Sequence, residues 1–425
     1  MNLRNIFQSK FVRNVIVVAS GTAGAQVIGM AFSPFITRLY GPEAFGILGT
    51  FTAVLAILTP IAALTYPISI VLPKSDKHAK GLASLSMRLA LMISLISFFV
   101  LFIGHDWLIR ILSLDAIKAF VYLIPIALLL SAYEQIITQW LIRKKQFKVT
   151  ARVAVFQALI VNVAKTGLGL LNPTSMMLVA VTVIGLLING FLLKSGIKGK
   201  NDDLTFSKIN SCKMRVLASK YQDFPMYRAP QVLLNALSQS LPVLMLASLF
   251  GPASAGFYSI GRTVLGIPVT LIGQSVANVF LPKIAEAKNN NNDLFKLIYQ
   301  STLMLAVIGF IPFLIVIIFG PWLFSFVFGD AWGGAGEYAQ WIATMTYFML
   351  ISRVAIVSIP VLNLQKEFLI FEIISIMIRA SSLYLGISLS EEDLLGVAIF
   401  SLSSVFIYIM IVIYVIYISH KYCVK

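Results

Sequence analysis

Twelve apolar stretches, each long enough to cross a bilayer as a helix, follow one another along the chain. A bilayer core needs about 20 residues of helix, and the stretches are continuous rather than alternating, which excludes a transmembrane β-barrel. The predicted helices cover residues 11–37, 44–72, 81–104, 117–142, 151–171, 174–195, 221–250, 253–282, 296–319, 335–362, 366–388 and 393–419. The predicted fold class is therefore an all-α polytopic membrane protein with about 12 transmembrane helices.

A short turn after the first stretch recurs in the second half of the chain. Residues 38–46 are Arg-Leu-Tyr-Gly-Pro-Glu-Ala-Phe-Gly, and residues 249–257 are Leu-Phe-Gly-Pro-Ala-Ser-Ala-Gly-Phe. Glycine tolerates a positive φ and proline cannot continue a preceding helix, so both copies predict a tight external turn. The structural turn residues are Gly41, Pro42, Gly251 and Pro252.

Two further landmarks repeat. Leu-Pro-Lys follows the turn at residues 72–74 and again at 281–283, and Trp-Leu precedes Asp-Ala by the same spacing at 107–116 and 322–331. The chain therefore reads as two six-helix halves, a lobe at 1–195 and a lobe at 221–425, joined by a cytoplasmic linker at 196–220. Halves with an even number of spans keep the same orientation, which predicts parallel repeats around a central cavity.

The charge distribution predicts the orientation in the membrane. Charged residues make up only 12% of the chain, against about 25% in a soluble domain. The net charge of +16 could indicate nucleic acid, but the predicted cytoplasmic loops and termini hold 24 Lys and Arg residues and the external loops hold three. This asymmetry follows the positive-inside rule, so we predict both termini in the cytoplasm and no nucleic-acid partner.

The sequence offers no chemistry for an enzyme. It contains no Walker A loop, GxSxG, HExxH or CxxC pattern, and its three histidines are scattered over separate loops and the C-terminal tail. We therefore expect no catalytic residue, metal or cofactor. Cys212 and Cys423 fall in predicted cytoplasmic stretches, where no disulfide is expected.

Away from the ends of the predicted spans, eight charged residues remain, and six of them are basic. A cation at the bilayer centre costs about 2.5–3.5 kcal/mol on insertion scales, so such residues mark substrate paths by default. Arg88 and Arg228 lie close enough to the cytoplasm to extend to the interface instead. The bases are Arg88, Lys165, Arg228, Arg262, Arg353 and Arg379, and the acids are Glu134 and Glu372.

Polar residues at helical spacing accompany several of these charges. Glu372, Ser375, Ser382 and Gly386 share a helical face with Arg379; Gln231, Asn235 and Ser238 share one with Arg228; Asn162 and Gly169 share one with Lys165. Polar stripes in lipid must face protein or water, and interhelical hydrogen bonding is the alternative. The predicted substrate path comprises Arg379, Lys165, Arg262, Arg353, Arg228, Arg88, Glu372, Glu134, Gln231, Asn235 and Asn162. Its excess of bases predicts an anionic cargo.

The motif at residues 38–46 resembles the first external turn of Wzx-type polysaccharide flippases of the multidrug/oligosaccharidyl-lipid/polysaccharide exporter superfamily. The twelve-span layout and the Leu-Pro-Lys that ends the second stretch are similar too. The resemblance implies a cationic cavity and transfer of an undecaprenyl-diphosphate-linked oligosaccharide, such as an O-antigen unit, from the inner to the outer leaflet of the bacterial inner membrane. Its implied partners are that lipid-linked anionic oligosaccharide, membrane lipids, a polysaccharide polymerase and a chain-length regulator.

Two alternatives stay open. A multidrug exporter of the same superfamily would move cations and should carry more carboxylates in its spans. A membrane-embedded polysaccharide polymerase or ligase should carry a large external loop, whereas the longest predicted external loops are only 105–116 and 320–334.

The predicted topology can be checked by cysteine labelling in intact cells. Cys212 in the linker should resist a membrane-impermeant maleimide and react only after permeabilisation, because the linker is predicted to be cytoplasmic. As a positive control, Lys118→Cys in a background lacking both native cysteines should react from outside. Labelling of Cys212 in intact cells would contradict the topology.

Overall fold

The computed structural model describes residues 10–112, 115–197, 204, 211–289, 293–390 and 392–424, and they form helices without any strand. The first helices are α1 (Lys10–Ala62), α2 (Tyr66–Ser69), α3 (Asp76–Leu112), α4 (Leu123–Arg143), α5 (Phe147–Leu171), α6 (Ser175–Ser195) and α7 (Ser211–Lys220). They continue as α8 (Ala229–Leu249), α9 (Pro252–Asn289), α10 (Leu294–Phe328), α11 (Gly333–Ile351), α12 (Arg353–Leu362), α13 (Gln365–Ser390) and α14 (Asp393–Val424). Arg4, most of the predicted linker (198–203 and 205–210) and residues 290–292 lie outside the described residues.

Ten segments of the described chain are long and apolar enough to cross a membrane, so this is an all-α, multi-pass membrane protein. The first segment contains two predicted spans, because α1 consists of two helices that meet at a kink at Gly41, where φ is 70° and ψ is 173°. The predicted span at 117–142 corresponds to α4, which is not among the ten because Glu134, Gln135 and Gln139 reduce its apolar character. The count of twelve spans stays a prediction.

The chain divides into two compact units, Met1–Ala255 and Gly256–Lys425. In the first unit α1 packs against α5 and α8, and α4 packs between α3 and α6. In the second unit α10 packs against α11, and α14 packs against both α11 and α13. The predicted limits at 1–195, 196–220 and 221–425 were drawn from the repeats and stay a prediction.

Large apolar side chains cover the outer faces of several helices. On α3, Phe102 and Ile103 are 66% and 83% exposed, and on α10 Val307 and Ile311 are each 66% exposed. Contiguous exposed apolar surface of this kind marks contact with a partner or a membrane, and here it lies on helices of spanning length.

The predicted helix at 44–72 ends early, which is a correction. The long helix α1 stops at Ala62, and Leu64 and Thr65 then adopt positive φ angles of 48° and 55°. Tertiary hydrogen bonds hold this break, since the Thr65 hydroxyl donates to the Phe224 carbonyl at 3.0 Å and the Tyr66 hydroxyl to the Ala218 carbonyl at 3.1 Å. The apolar composition of residues 44–72 could not predict these hydrogen-bond partners, because they come from a distant part of the chain.

Arg143, the last residue of α4, holds the non-helical chain that follows the break. Its guanidinium forms an ion pair with Asp76 at 2.9 Å and is only 10% exposed. It also donates to the backbone carbonyls of Ile70, Val71, Pro73 and Lys74. Carbonyls released from a helix need new donors when they are buried, and Arg143 supplies them with its fork of N–H groups.

The predicted external loops 105–116 and 320–334 are largely helical, a second correction. The third predicted span does end at a kink, since Gly104 has a non-helical φ of −109° and ψ of 22°, but a second helical piece continues to Leu112. The helix α10 continues to Phe328, and apolar residues such as Ile109 and Phe324 remain buried beyond the predicted ends. In both copies a 3₁₀ helix then begins at the repeated aspartate, as Asp115–Phe120 and Asp330–Trp332. The Trp and Asp landmark therefore has the same local conformation twice.

Other predicted boundaries also move. The stretch at 335–362 is an exception, because it lies within one segment, Asp330–Leu362, and the Ile356 amide still donates to the Ser352 carbonyl at 2.9 Å. The stretch at 253–282 continues to Asn289, so the second Leu-Pro-Lys lies inside α9. The stretch at 221–250 begins with a π turn, Phe224–Arg228, and the end of the predicted linker forms α7.

The repeated turns share a left-handed glycine and meet each other in space. Gly41 has a φ of 70° and Gly251 a φ of 91°, and a Cβ added to either would meet no atom within 4 Å. By contrast, a Cβ on Gly46 would lie 1.6 Å from the carbonyl oxygen of Pro252. The two copies of the motif thus contact each other backbone to backbone, within the first unit.

Replacing either turn glycine should destabilise the protein through the backbone alone. We expect Gly41→Ala and Gly251→Ala each to cost about 1–2 kcal/mol, because a positive φ is strained for alanine and no contact changes. The measurement is thermal unfolding of the purified protein in detergent. Gly29→Ala is the matched control: it has the same open surroundings without a positive φ, and it should be neutral or stabilising. Equal stability for all three variants would contradict the argument.

Candidate functional site

Arg379 lies near the middle of α13 and stacks on an aromatic ring of α14. The carbon at the centre of its guanidinium is 5.2 Å from the centroid of the Tyr408 ring. Arg379 is only 9% exposed, and its Nε is buried without a hydrogen-bond partner. A cation over a tyrosine face contributes about 0.5–2 kcal/mol, which leaves the donors at the edge of the guanidinium available to a ligand.

Arg353 lies in the same unit, near Tyr408. It is the first residue of α12, and its Nε is also buried without a partner. Its side chain runs along Gly273 of α9, where a Cβ would lie 3.2 Å from that Nε. Glycine at 273 therefore makes the room that the arginine occupies.

Two tyrosines lie among the basic residues of the second unit. Tyr408 lies near Arg353 as well as against Arg379, and the buried Tyr258 lies near Arg262 and Arg379. Tyr258 and Arg262 are one turn apart on α9. The second unit thus gathers the predicted path residues Arg262, Arg353 and Arg379, and we call them, with Tyr258 and Tyr408, the arginine cluster.

Two arginines of this cluster, Arg353 and Arg379, have no carboxylate partner in the part of the chain that the structure describes. Glu372 lies two turns before Arg379 on α13 and is half-buried. Guanidinium groups bind phosphate and carboxylate through paired N–H donors, so the cluster can bind an anion.

The rest of the Arg379 stripe packs between helices. The Ser382 hydroxyl is 2.8 Å from that of Ser403 on α14, and Ser375 donates to the Phe371 carbonyl at 2.6 Å. A Cβ on Gly386 would lie 2.8 Å from the Cα of Gly396. Ser375, Ser382 and Gly386 therefore serve helix–helix packing and internal hydrogen bonding. Arg379 is the member of the stripe that still has an unpaired N–H donor.

In the first unit, the side chains of the Arg228 stripe are exposed at its start, at Arg228, and buried at its end, at Ser238. Arg228 closes the π turn, and its Nη1 donates to Gln231 at 2.8 Å. Asn235, two turns into α8, is exposed, whereas Ser238 is 6% exposed. Arg88 on α3 is exposed as well.

The Lys165 stripe faces α1 and the repeated motif. The Tyr40 hydroxyl donates to the Lys165 carbonyl at 2.8 Å, and the ring lies 2.7 Å from where a Cβ on Gly169 would be. Asn162 donates to the Ala158 carbonyl of its own helix. Among the described residues the Lys165 ammonium takes part in no ion pair.

The predicted acid Glu134 lies apart from these bases, on α4, where it hydrogen-bonds Asn189 of α6. The sequence reasoning missed Asn189, Tyr258 and Tyr408. Tyr408 could have been found, because Ser401, Ser404 and Tyr408 form a polar stripe at helical spacing in the last span. Nothing in the sequence around Tyr258 distinguishes it from a core aromatic residue.

A family model described as "Polysaccharide biosynthesis protein" matches residues 35–337. The chain belongs to the polysaccharide biosynthesis protein family. This confirms the resemblance drawn from the repeated motif. No curated protein sequence matches the chain.

Solved structures of low sequence identity share the fold over nearly the whole chain. An inward-facing multidrug resistance MATE family transporter of the MOP superfamily has a TM-score of 0.75 at 14% identity, over 96% of this chain and 99% of that one. The lipid II flippase MurJ in an inward closed conformation gives 0.72 at 13% identity, over 95% of this chain and 87% of that one. A MOP superfamily transporter from Pyrococcus furiosus, described as having a binding pocket of reversed polarity, gives 0.64 at 12% identity, over 96% and 95%. The fold is therefore the MATE-like fold.

Removing the Arg379 charge should not weaken the fold. We expect Arg379→Met to unfold at the same temperature as the wild type or higher, because the buried guanidinium has an unsatisfied Nε and no carboxylate. Arg143→Met is the matched contrast. That arginine is about as buried but bonds one carboxylate and four carbonyls, and each lost charged hydrogen bond costs about 1.5–3 kcal/mol. Thermal unfolding in detergent compares the two. An equal loss in both variants would mean that Arg379 holds helices together.

Proposed function

We propose that the protein moves an undecaprenyl-diphosphate-linked oligosaccharide, an O-antigen or similar repeat unit, from the inner to the outer leaflet of the bacterial cytoplasmic membrane. The observation that carries the proposal is the pair Arg353 and Arg379 of the arginine cluster, whose guanidinium groups have buried Nε atoms and take part in no ion pair among the described residues of the second unit. Membership of the polysaccharide biosynthesis protein family supports a saccharide-containing cargo.

The chemistry of this cargo fits the cluster. A diphosphate presents several anionic oxygens, and arginine binds such groups through two parallel N–H donors. An inside-negative potential also favours export of negative charge, by about 2.3 kcal/mol per charge per 100 mV. Arg379 and Arg353, with buried unpaired Nε atoms, are the proposed main phosphate ligands, and Arg262 lies beside them through Tyr258.

We propose that the first unit provides polar groups for the sugars and additional basic residues for the phosphates. Gln231 and Asn235 are exposed on one face of α8 and offer amides to sugar hydroxyls. Arg88, Lys165, Arg228 and Asn162 complete the proposed path, with Glu134 and Glu372 as its few acids. The protein would not hydrolyse ATP or act as an enzyme, since transport of this kind needs binding and a conformational change only.

The proposed mechanism is alternating access by two six-helix lobes, 1–195 and 221–425, related as parallel repeats around a central cavity. A transporter fold shared with a lipid II flippase supports this reading. Both termini and the linker at 196–220 would face the cytoplasm, and a polysaccharide polymerase and a chain-length regulator would act on the exported unit.

A multidrug exporter is the second candidate, because a MATE family transporter of similar fold is described as conferring multidrug resistance. The charge balance disfavours it: away from their ends, the predicted spans hold six bases and two acids, and a cationic drug would need carboxylates. A polymerase or ligase is disfavoured by the helical, short external segments at 105–116 and 320–334.

Arg379 offers the test of function. In a strain that lacks its own copy of the gene, Arg379→Ala should lower surface polysaccharide by about tenfold to a hundredfold, the equivalent of one lost charged pair of about 1.5–3 kcal/mol. Arg379→Lys should restore export in part, because the charge returns without the planar fork. Membrane abundance is measured in parallel by immunoblot.

Arg110→Ala is the matched control, since Arg110 is an exposed arginine near the end of α3 and outside the proposed path. It should leave surface polysaccharide at the wild-type level. Normal polysaccharide from Arg379→Ala would remove the residue from the path. If deletion of the gene leaves surface polysaccharide unchanged and alters drug sensitivity, the drug-exporter hypothesis would replace the flippase hypothesis.

A further inference from the structure

The side chain of Arg353 lies against the backbone of α9 at Gly273. A Cβ on that glycine would be 3.2 Å from Nε, 3.3 Å from Cδ and 3.7 Å from Cγ of the arginine. Non-bonded carbon atoms attract each other best at about 3.5–4.0 Å, so two of these distances are too short for an undisturbed contact. The contact follows the length of the side chain, and any residue larger than glycine would have to push the arginine aside.

The backbone of α9 does not itself require a glycine at position 273. Gly273 has no positive φ, in contrast to Gly41 and Gly251, and glycine inside a helix is less stable than alanine. Gly266 lies two turns earlier on the same helix, and a Cβ there would meet no described atom within 4 Å. The close approach is therefore specific to position 273, and the arginine that passes over it explains the glycine.

The backbone of Arg353 is fixed, so its side chain would take up any displacement. The flanking residues Ser352, Val354 and Ala355 are fully buried, and the Ile356 amide donates to the Ser352 carbonyl at 2.9 Å. Close-packed interiors leave little free space for a helix to move. A clash with α9 would thus move the guanidinium rather than α12.

The position of this guanidinium matters because of its neighbours. Tyr408 lies near Arg353 and stacks on Arg379 at 5.2 Å. One ring is therefore the common neighbour of two arginines whose Nε atoms have no partner in the described part of the chain. Arginine binds a phosphate group through two parallel N–H donors, and a binding site of this kind tolerates a displacement of only about 0.5 Å.

We infer that Gly273 is a positioning residue for anion binding. Its missing side chain lets Arg353 lie near Tyr408, where the N–H donors of Arg353 and Arg379 serve the same anion. The inference rests on the proposed function for the identity of that anion, a diphosphate. It gives a role in binding to a residue of α9 that has no side chain of its own.

Binding of radiolabelled inorganic diphosphate to the purified full-length protein in phosphatidylcholine nanodiscs tests the inference. Gly273→Ala should weaken binding about tenfold, the equivalent of one lost charged hydrogen bond. Gly266→Ala is the matched control, because it makes the same substitution on the same helix where the Cβ has open space. It should bind diphosphate like the wild type.

A double-mutant cycle with Arg353→Ala shows whether the glycine acts through the arginine, since this variant removes all three atoms that a Cβ at 273 would meet. Arg353→Ala should itself weaken binding about tenfold, and Arg379 should keep the remaining affinity measurable. In that background Gly273→Ala should change the dissociation constant by less than about twofold, because effects that pass through one shared partner are not additive.

The same cycle is measured by thermal unfolding, which needs no ligand. Gly273→Ala should raise the melting temperature more in the Arg353→Ala background than in the wild type, because alanine is favoured in a helix and the clash is gone.

Three results would overturn the inference. Wild-type diphosphate binding by Gly273→Ala would show that the glycine does not position the guanidinium. An equal loss of binding with and without the Arg353 side chain, or an equal shift of melting temperature in both backgrounds, would show that Gly273 serves only the packing of α9. By contrast, wild-type affinity in the Arg353→Ala/Arg379→Ala variant, or absence of diphosphate binding to the wild type, would refute the proposed function itself, and the thermal cycle would still decide whether Gly273 positions Arg353.

Discussion

Exclusion of water from the spanning segments forces polar groups to find partners inside the protein, and the rest of the structure depends on this constraint. Where α1 ends, Arg143 satisfies the carbonyls that the break releases, and Thr65 and Tyr66 donate to the chain near Phe224. Where the constraint is met, the polar residue is structural. Where it is not met, as at the Nε atoms of Arg353 and Arg379, the unpaired N–H group can donate a hydrogen bond to a ligand.

The same reasoning divides the polar stripes into two kinds. Ser375 and Ser382 are hydrogen-bonded within or between helices, and Gly386 permits close approach of two backbones. They explain why α13 can pack on α14 at that level. Arg379 interrupts this packing with a charge held only by the face of Tyr408. A helix pair can thus be a tight structural element and still present a cationic group at one position.

The two copies of the internal repeat share the same backbone conformation at their landmark residues, but they make different contacts with their neighbours. Gly41 and Gly251 share a left-handed backbone, and Asp115 and Asp330 each begin a 3₁₀ helix. Their surroundings differ: the first Leu-Pro-Lys lies in a non-helical stretch of turns and bends held by Arg143, whereas the second lies inside α9. Local sequence sets a turn, but the neighbouring helices decide whether the chain beyond it continues.

The sequence by itself determined the membrane class, the family, most of the helices and the positions of the basic residues, because these follow from hydrophobic length, charge counting and local turn chemistry. It could not determine which polar residues find partners, since partners such as Tyr408 for Arg379 come from distant parts of the chain. It also missed the early end of α1, which depends on hydrogen bonds rather than on apolar composition. Only the tertiary structure gathered the arginines of α9, α12 and α13 around two tyrosines, because packing and not spacing brings separate helices together.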